Sequence, residues 1–299
     1  MQQPPPITAL QAWIMAARPR TLPAAASPVL VATALAVHNG VLHLPTALAC
    51  LCISVLMQIG ANFANDLFDH ERGADTGERL GPTRVSAAGI ISPGQMRIGM
   101  LAVFGAAGLL GLSLASRAGW PVIGLGIVII LAALAYSGGP FPYGYFGMGD
   151  VFVFLSFGAV AVCGTYYVQA LTVPAAALGV SIPVGLLIVN ILVVNNTRDI
   201  PTDRLANKRT LAVWLGPRAM LFEYLGCLVI AYLTPLVLWI FGLSSLGGML
   251  AWLSLPEAIL LFSEFRRSSG KALNKTLART ARLAFVYAVL FSLGIAIVR

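Results

Sequence analysis

Charged residues are scarce in this sequence. They make up 10% of its 299 residues, whereas hydrophobic residues make up 58%. Soluble domains carry about 25% charged residues. The mean hydropathy of +0.86 agrees with this composition. The scarcity of charge excludes an ordinary soluble globular protein and predicts an all-α membrane protein whose spans belong to one domain.

Cysteine is also rare, and its pattern excludes two kinds of stabilisation. The four cysteines all lie inside apolar runs, and their spacing is not that of a metal site. We therefore expect neither disulfide bonds nor a zinc centre. They are Cys50, Cys52, Cys163 and Cys227.

Long apolar runs, in contrast, are abundant. A helix needs roughly 20 apolar residues to cross the hydrocarbon core, and nine stretches qualify. They are 22–38, 45–66, 97–115, 119–136, 150–168, 174–195, 219–242, 246–264 and 281–298. We expect residues 1–299 to form one transmembrane domain, with 1–15 as a short cytoplasmic segment. Glu257, inside the eighth stretch, has no evident partner.

The net charge of +8 follows the predicted topology. Of the 19 Lys and Arg residues, 17 lie on one side of the spans. The positive-inside rule makes that side cytoplasmic, with the N-terminus inside and the C-terminus outside. The basic excess thus needs no nucleic-acid partner. The basic run from Arg266 to Arg282 is expected to set orientation and to contact anionic membrane lipid.

Acidic residues do not follow this pattern. Seven of the 11 fall in two clusters on the predicted cytoplasmic side: five between Asp66 and Glu78, then Asp199 and Asp203. Carboxylates near the membrane are costly unless they are paired or bound to metal. The clusters therefore predict a functional site.

The first cluster begins inside the second span. Five polar residues recur at offsets 0, 4, 7, 8 and 11, which places them on one helical face. Such a stripe must face protein or a water-filled cavity. The five are Gln58, Asn62, Asn65, Asp66 and Asp69, and beyond them follow Asp75, Arg79 and Arg84.

The second cluster closes the sixth span. Asn196, Asp199 and Asp203 fall at offsets 0, 3 and 7, again on one helical face. A break in the helix at Pro201 is the alternative, because proline disfavours helix at the preceding residue. Lys208 follows the cluster. Either cluster alone is typical of a solvated or capping pair, whereas two clusters on one side favour a shared function.

Two carboxylate clusters beside Lys and Arg are suited to a diphosphate. Mg²⁺ prefers oxygen ligands and binds through one or two carboxylates plus substrate phosphates, and basic side chains neutralise the remaining charge. Stabilising the leaving diphosphate helps an allylic C–O bond to break. An apolar, aromatic-lined chamber then stabilises the carbocation. The residues predict prenyl diphosphate chemistry in a membrane.

The loop from Tyr136 to Asp150, between the two clusters in sequence, is rich in glycine and aromatic residues. Two interpretations stay open for it. It is either an interfacial aromatic belt with a flexible turn, or a lid or wall for an aromatic substrate.

Both clusters resemble the Asp-rich motifs of the UbiA superfamily of intramembrane prenyltransferases. The matching segments are Asn65-Asp-Leu-Phe-Asp69 with Asp75, and Asn196-Thr-Arg-Asp-Ile-Pro-Thr-Asp203. The likeness is greatest to the 1,4-dihydroxy-2-naphthoate polyprenyltransferase branch of menaquinone biosynthesis. It rests on Ala17-Arg-Pro-Arg-Thr-Leu-Pro23, Asp75–Arg84, Tyr136-Ser-Gly-Gly-Pro140 and Asn195-Asn-Thr-Arg-Asp199. One departure from much of the superfamily is Gly73 where an acid is usual, with Asp75 as the next acid.

The resemblance implies nine helices around a central cavity with a lateral opening. It implies Mg²⁺ held by Asp66, Asp69, Asp75, Asp199 and Asp203, and substrate contacts from Asn62, Asn65, Arg79, Arg84, Asn196, Lys208, Tyr136 and Arg20. It implies transfer from a polyprenyl diphosphate to 1,4-dihydroxy-2-naphthoate, giving demethylmenaquinol, pyrophosphate and CO₂. The implied location is the bacterial inner membrane, with the site on the cytoplasmic side.

Two other functions stay open. A different aromatic acceptor, such as 4-hydroxybenzoate, homogentisate or a porphyrin, would use the same diphosphate site. A cation-coupled transporter is the alternative from another class, and it predicts functional carboxylates near the bilayer midplane.

Overall fold

Helices joined by short connections make up this computed structural model, which describes residues 7–74 and 80–298 and contains no strand within them. The α-helices are α1 (Ala9–Ala17), α2 (Leu22–His38), α3 (Leu44–Glu71), α4 (Pro93–Ala118), α5 (Pro121–Ala135), α6 (Gly149–Val153), α7 (Ala161–Ala170), α8 (Ala175–Leu205), α9 (Leu211–Ile240), α10 (Leu255–Arg267) and α11 (Leu273–Ile297). This confirms the prediction of an all-α membrane fold.

The number of full-length spans is smaller than the nine predicted. Eight helical stretches of the described residues are long and apolar enough to cross a membrane, and α5 is shorter. It has 15 residues, or about 22 Å of helix, against a hydrocarbon core of about 30 Å. The helix begins only at Pro121, after Gly119 with φ of 78°, and ends before the glycine-rich loop.

The N-terminal helix α1 is a separate element placed against the site end of the bundle. Thr8 caps it through a capping box with Gln11. Arg18, with φ of 50°, ends α1 in the left-handed region and turns the chain into α2. Trp13 of α1 contacts Phe63 of α3 with ring centroids 5.3 Å apart. This places Arg18 beside the polar end of α3.

The largest core cluster joins α2, α8, α9 and α11 and includes fully buried Tyr224 and Tyr287. A π-helical segment, Phe154–Val160, connects α6 to α7 and packs on α8. A Cβ on Gly158 would lie 3.1 Å from the Ser181 carbonyl oxygen and 3.2 Å from Gly185 Cα. Glycine at both positions therefore allows the two backbones to approach closely.

The two long helices that carry the acidic clusters extend past the apolar residues. Helix α3 continues through Asp66 and Asp69 to Glu71. Helix α8 continues through Pro201 to Leu205, so the helix does not break where the proline makes a break possible. The described carboxylates of the two clusters therefore stand on helices rather than on loops.

Candidate functional site

A cavity of about 820 Å³ lies inside the bundle, between α2, α3, α4, α5, α7 and α8 and the π-helical segment. Its wall on α3 extends from Cys50 to Asp69, which is about 28 Å of helix. The Cys50 end is mainly apolar, whereas the Asp69 end carries the acidic and basic side chains. The cavity thus combines a polar site at one end with an apolar interior.

Only part of the polar stripe of α3 lines the cavity. Gln58, Asn65 and Asp69 line it, whereas Asn62 and Asp66 do not. At 3.6 residues per turn, the first three lie within about 20° of one direction, and Asp66 is turned by about 80°. The stripe is therefore too wide for all five side chains to enter one cavity.

Asn62 and Asp66 instead hold the chain around the site. The Asn62 side-chain amide donates to the Ala17 carbonyl oxygen at 2.9 Å and to Thr21 Oγ1 at 3.1 Å. The buried Asp66 carboxylate accepts the backbone N–H groups of Val85 at 3.3 Å and Ser86 at 3.0 Å. Asn62 thus fixes the junction of α1 and α2, and Asp66 fixes the segment that follows the first cluster.

Asp69 is the central carboxylate of the first cluster. It is 3% exposed, lies 2.6 Å from Arg84 Nη2, and accepts the Tyr145 hydroxyl at 2.7 Å. Arg84 also donates to the Asn65 carbonyl oxygen at 2.6 Å. Asn65 in turn accepts the Ser137 hydroxyl at 2.7 Å. Such a buried carboxylate requires these donors, since an unpaired charge is costly away from water.

In the second cluster, Asn195, Asp199, Thr202 and Asp203 line the cavity. Asn196, predicted to contact substrate, is buried and is not part of the lining. Along α8, Asn195 lies about 40° to one side of Asp199 and Asn196 about 60° to the other. The lining of the cavity on α8 thus includes Asn195, Asp199 and Asp203 and, around the helix axis, ends before Asn196.

Arg198, between the asparagines and Asp199, holds that carboxylate with a fork of two hydrogen bonds. Its Nε donates to Asp199 Oδ1 at 2.8 Å, and its Nη2 donates to Asp199 Oδ2 at 2.6 Å. Arg198 is 2% exposed. The fork fixes the direction of the Asp199 side chain.

Tyr145 connects the two clusters. Its hydroxyl bonds Asp69, and Lys208 Nζ lies 5.2 Å from its ring centroid, within range of a cation–π contact. Lys208 is also 4.0 Å from Asp203. Burial and the nearby Asp69 charge raise the pKa of the Tyr145 phenol, which keeps the donor hydroxyl protonated. Tyr145 thus contacts Asp69 of the first cluster directly and reaches the second cluster through Lys208.

The aromatic loop supplies a wall of the cavity, in agreement with one of its two open interpretations. Tyr136 and Tyr143 meet edge to face at 5.4 Å, and Tyr143 stacks on Phe152 at 4.1 Å; all three line the cavity. Burial raises the pKa of Tyr143 to about 12. Burial and the charge of Asp150 raise the pKa of Tyr136. Both phenols are therefore neutral at physiological pH.

The arginine of the α1–α2 junction that reaches the cavity is Arg18. Arg20, predicted to contact substrate, is exposed and is not part of the lining. Asp75 and Arg79, predicted as a metal ligand and a phosphate contact, lie outside the described residues. Glu257 is paired after all: Arg279 of α11 donates to both of its oxygens, at 2.9 and 3.0 Å.

The polar end supplies ligands suited to Mg²⁺, although it does not enclose an ion by itself. Carboxylate and amide oxygens of Asp69, Asp199, Asp203, Asn65 and Asn195 line it. Among the described residues, no three His, Cys, Asp or Glu side chains gather as a metal centre. Mg²⁺ commonly binds through one or two carboxylates together with substrate phosphates and water. The oxygen ligands fit an ion that arrives with a diphosphate.

Four side chains that line the polar end or bond its carboxylates are absent from the predicted set: Arg18, Tyr145, Asn195 and Arg198. Arg18, Asn195 and Arg198 stand within segments that carry the family resemblance, so their sequence positions offered a signal. For Tyr145 the sequence offered no signal beyond its position in an aromatic loop, because its contact with Asp69 joins residues 76 positions apart.

Comparisons with known proteins agree with this architecture. The profile of the UbiA prenyltransferase family matches residues 25–296. The 1,4-dihydroxy-2-naphthoate octaprenyltransferase of Escherichia coli is 37% identical, with 97% of this chain and 96% of that protein covered. The enzyme of the same name from Mycobacterium tuberculosis is 40% identical over 76% of this chain and 77% of its own length.

A UbiA homolog from Archaeoglobus fulgidus, solved bound to DMAPP and Mg²⁺, has the same fold. Its TM-score is 0.65, with 15% identity and coverage of 94% of this chain and 99% of that chain. The likeness in fold agrees with the match of the family profile over most of the chain. The resemblance in the motifs is thereby confirmed: this multi-pass membrane protein belongs to the UbiA prenyltransferase family.

Proposed function

We propose that this protein transfers a polyprenyl group from a polyprenyl diphosphate to 1,4-dihydroxy-2-naphthoate, with Mg²⁺, releasing pyrophosphate and CO₂ and forming demethylmenaquinol. The observation that carries the proposal is one cavity with carboxylates, Arg and Lys at one end and an aromatic, apolar interior. The names of the relatives from E. coli and M. tuberculosis support the choice of acceptor.

The polar end binds the diphosphate in this proposal. Asp69, Asp199 and Asp203 would hold the metal, and a bound Mg²⁺ would supply positive charge to the leaving diphosphate. Lys208 and Arg84 line the same end and neutralise the phosphate oxygens. Asp66 stabilises the segment that carries Arg84, through the backbone N–H groups of Val85 and Ser86.

The apolar interior receives the hydrocarbon tail and shields the allylic cation. The faces of Tyr136, Tyr143 and Phe152 supply negative electrostatic potential near the breaking C–O bond. Because burial keeps the phenols of Tyr136 and Tyr143 protonated, they do not compete as phenolate nucleophiles. The apolar lining of the interior limits the access of water that would hydrolyse the cation.

The electron-rich ring of the acceptor attacks the allylic cation through the ring carbon that bears the carboxylate. A new C–C bond forms at that carbon. The bond from the same carbon to the carboxylate then breaks, its electron pair returns to the ring and restores aromaticity, and CO₂ leaves. Arg18 lines the cavity and is suited to bind the acceptor carboxylate before this step. In this proposal Arg18, rather than Arg20, is the arginine of the α1–α2 junction that contacts the substrate.

A product assay on protein purified in detergent tests the proposal. It offers 1,4-dihydroxy-2-naphthoate or 4-hydroxybenzoate with a prenyl diphosphate, in Mg²⁺ or in EDTA, with Asp69→Asn as the control variant. We expect Mg²⁺-dependent prenylation of the naphthoate with CO₂ release, lowered about 10² to 10³-fold in the variant, as for loss of one group that stabilises transition-state charge.

The other outcomes discriminate between the functions. Turnover of 4-hydroxybenzoate alone would keep the prenyl transfer and overturn the acceptor. No turnover of either acceptor by folded protein would overturn the enzyme assignment and favour a transporter.

A further inference from the structure

Asn274, near the start of α11, lies outside both acidic clusters and has no role in the proposed chemistry as stated above. It stands in the basic run that the sequence assigns to membrane orientation. In the structure it is half-buried, and Leu277, one turn further along α11, lines the cavity. The first turn of the last helix is therefore next to the site.

Both polar atoms of the Asn274 side-chain amide form hydrogen bonds, each with a different part of the site. Its Oδ1 accepts a hydrogen bond from Arg198 Nη1 at 2.8 Å. Its Nδ2 donates to the Leu80 carbonyl oxygen at 2.8 Å. Asn274 thus joins the arginine of the second cluster to the segment that follows the first.

The contact with Arg198 completes a ring of acceptors around that guanidinium. Two bonds go to Asp199, and Nη2 also donates to Asn195 Oδ1 at 2.8 Å. Without Asn274, Nη1 would lose its acceptor in a buried environment, and the fork would be held only by its bonds to Asp199 and Asn195 on its own helix. The orientation of Asp199 in the cavity therefore depends on a residue of another helix.

The hydrogen bond from Asn274 to Leu80 holds the segment that contacts the first acidic cluster, on α3. Residues 80–86 carry Arg84, which pairs with Asp69, and end in the backbone N–H groups bound by Asp66. Gly81 of this segment packs directly against Arg198, because a Cβ there would lie 2.7 Å from Nη2. Asn274, Arg198 and residues 80–86 thus form a continuous connection from Asp199 to Asp69.

We propose that Asn274 is a positioning residue for the diphosphate end of the cavity. It fixes the Arg198 fork, and with it Asp199, against the segment 80–86 that carries Arg84. The two acidic clusters are then held at a set separation before substrate arrives. This inference rests on the proposed function, and it assigns the positioning to a residue in neither motif.

The test is Asn274→Ala in detergent, with Asn190→Ala as the matched control. Asn190 is a buried asparagine that also joins two elements, donating to the Tyr224 carbonyl oxygen at 3.1 Å, but it does not line the cavity. The first readout is hydrogen–deuterium exchange of residues 80–86 without ligand or metal. The second is the dissociation constant for Mg²⁺ with inorganic pyrophosphate, measured by calorimetry.

We expect Asn274→Ala to exchange severalfold faster across residues 80–86, because the segment loses an anchor. We expect its affinity for magnesium pyrophosphate to fall about tenfold, as for loss of a hydrogen bond to a charged group. Asn190→Ala should leave both quantities at wild-type values even if it lowers thermal stability. Exchange and affinity in Asn274→Ala that match those of Asn190→Ala would overturn the proposal.

A double-mutant cycle with Arg198→Lys separates positioning from simple destabilisation. If Asn274 acts through Arg198, adding Asn274→Ala to Arg198→Lys lowers affinity little further. Losses that multiply would contradict the proposal. If the alanine variant does not fold, Asn274→Asp keeps an acceptor for Arg198 and replaces the donor to Leu80 with a carboxylate oxygen, which cannot donate to a carbonyl. Unchanged exchange across residues 80–86 in that variant would also contradict it.

Failure of the proposed function is separable from these results. A wild-type protein that binds magnesium pyrophosphate but does not prenylate the naphthoate overturns the proposed reaction and leaves the diphosphate site in place. The exchange measurement needs neither metal nor substrate, so it decides the positioning role in either case.

Discussion

At the scale of single residues, the position of a side chain around its helix axis decides whether it enters the cavity. Asn195 lines it and Asn196 does not; Asp69 lines it and Asp66 does not. A polar cluster in a sequence identifies the neighbourhood of a site, because several consecutive turns carry polar groups. It does not identify the members, since one residue of helix is about 100° of rotation.

Arg18 and Arg20 offer a matched test at this scale, since both are arginines of one short junction and only Arg18 lines the cavity. We expect Arg18→Met to raise KM for the naphthoate about tenfold or more, because a charge-assisted hydrogen bond to the carboxylate is lost. KM for the prenyl diphosphate should change less. Arg20→Met should leave both constants near wild type.

Steady-state kinetics with each substrate varied in turn provide the measurement. Equal effects of the two substitutions on the naphthoate KM would contradict the role of Arg18. A rise confined to the prenyl diphosphate KM would move Arg18 from the acceptor to the diphosphate.

At the scale of elements, the shape of the cavity depends on where helices approach one another. The π-helical segment Phe154–Val160 supplies Ser156, Phe157 and Val160 to the cavity wall. It can pack on α8 because Gly158 and Gly185 face each other without side chains. Such segments occur often at functional sites, and here the segment shapes the wall next to the aromatic group.

Gly185→Ala tests this close approach. The added Cβ would lie 2.9 Å from Phe154 Cδ2 and 3.0 Å from Gly158 Cα, and such overpacking costs about 1–3 kcal/mol. We expect a lower thermal unfolding temperature in detergent and reduced turnover. Gly105→Ala on α4 is the control, since no atom lies within 4 Å of its added Cβ.

The control should retain wild-type stability and turnover. If Gly185→Ala unfolds at the wild-type temperature, the helices have room to separate, and the close approach does not determine the cavity wall.

At the scale of the whole molecule, the balance of charge around the cavity predicts how ligands bind. The described residues of the lining include three acidic and three basic side chains. They are Asp69, Asp199 and Asp203, with Arg18, Arg84 and Lys208. A diphosphate brings several negative charges to a site that is already close to neutral. Its binding should therefore depend strongly on a divalent cation.

Thermal unfolding with inorganic pyrophosphate measures this coupling. We expect little stabilisation by pyrophosphate in EDTA, and about 2.7 kcal/mol with Mg²⁺ at a ligand concentration of about 100 times Kd. Mg²⁺ alone should stabilise less than the pair. Equal stabilisation by pyrophosphate in EDTA and in Mg²⁺ would show that the basic side chains suffice and would contradict metal-mediated binding.

The sequence by itself determined the membrane environment, the helical class, the region of the site and the family. The membrane environment and the helical class follow from the length of apolar runs, and the region of the site follows from polar residues at helical spacing; these are local features. The family came from the resemblance of the two Asp-rich motifs. It also pointed to Asp69, Asp199, Asp203, Arg84 and Lys208, all of which line the cavity.

Only the tertiary structure decided how these residues are held. The bond between Tyr145 and Asp69 spans 76 residues, and that between Arg198 and Asn274 also spans 76. Arg279 pairs with Glu257 across 22 residues, between two different helices. Contacts of this kind depend on which helices pack together and at what rotation. That packing is settled by the whole bundle at once, because each helix must bury its polar groups against several neighbours.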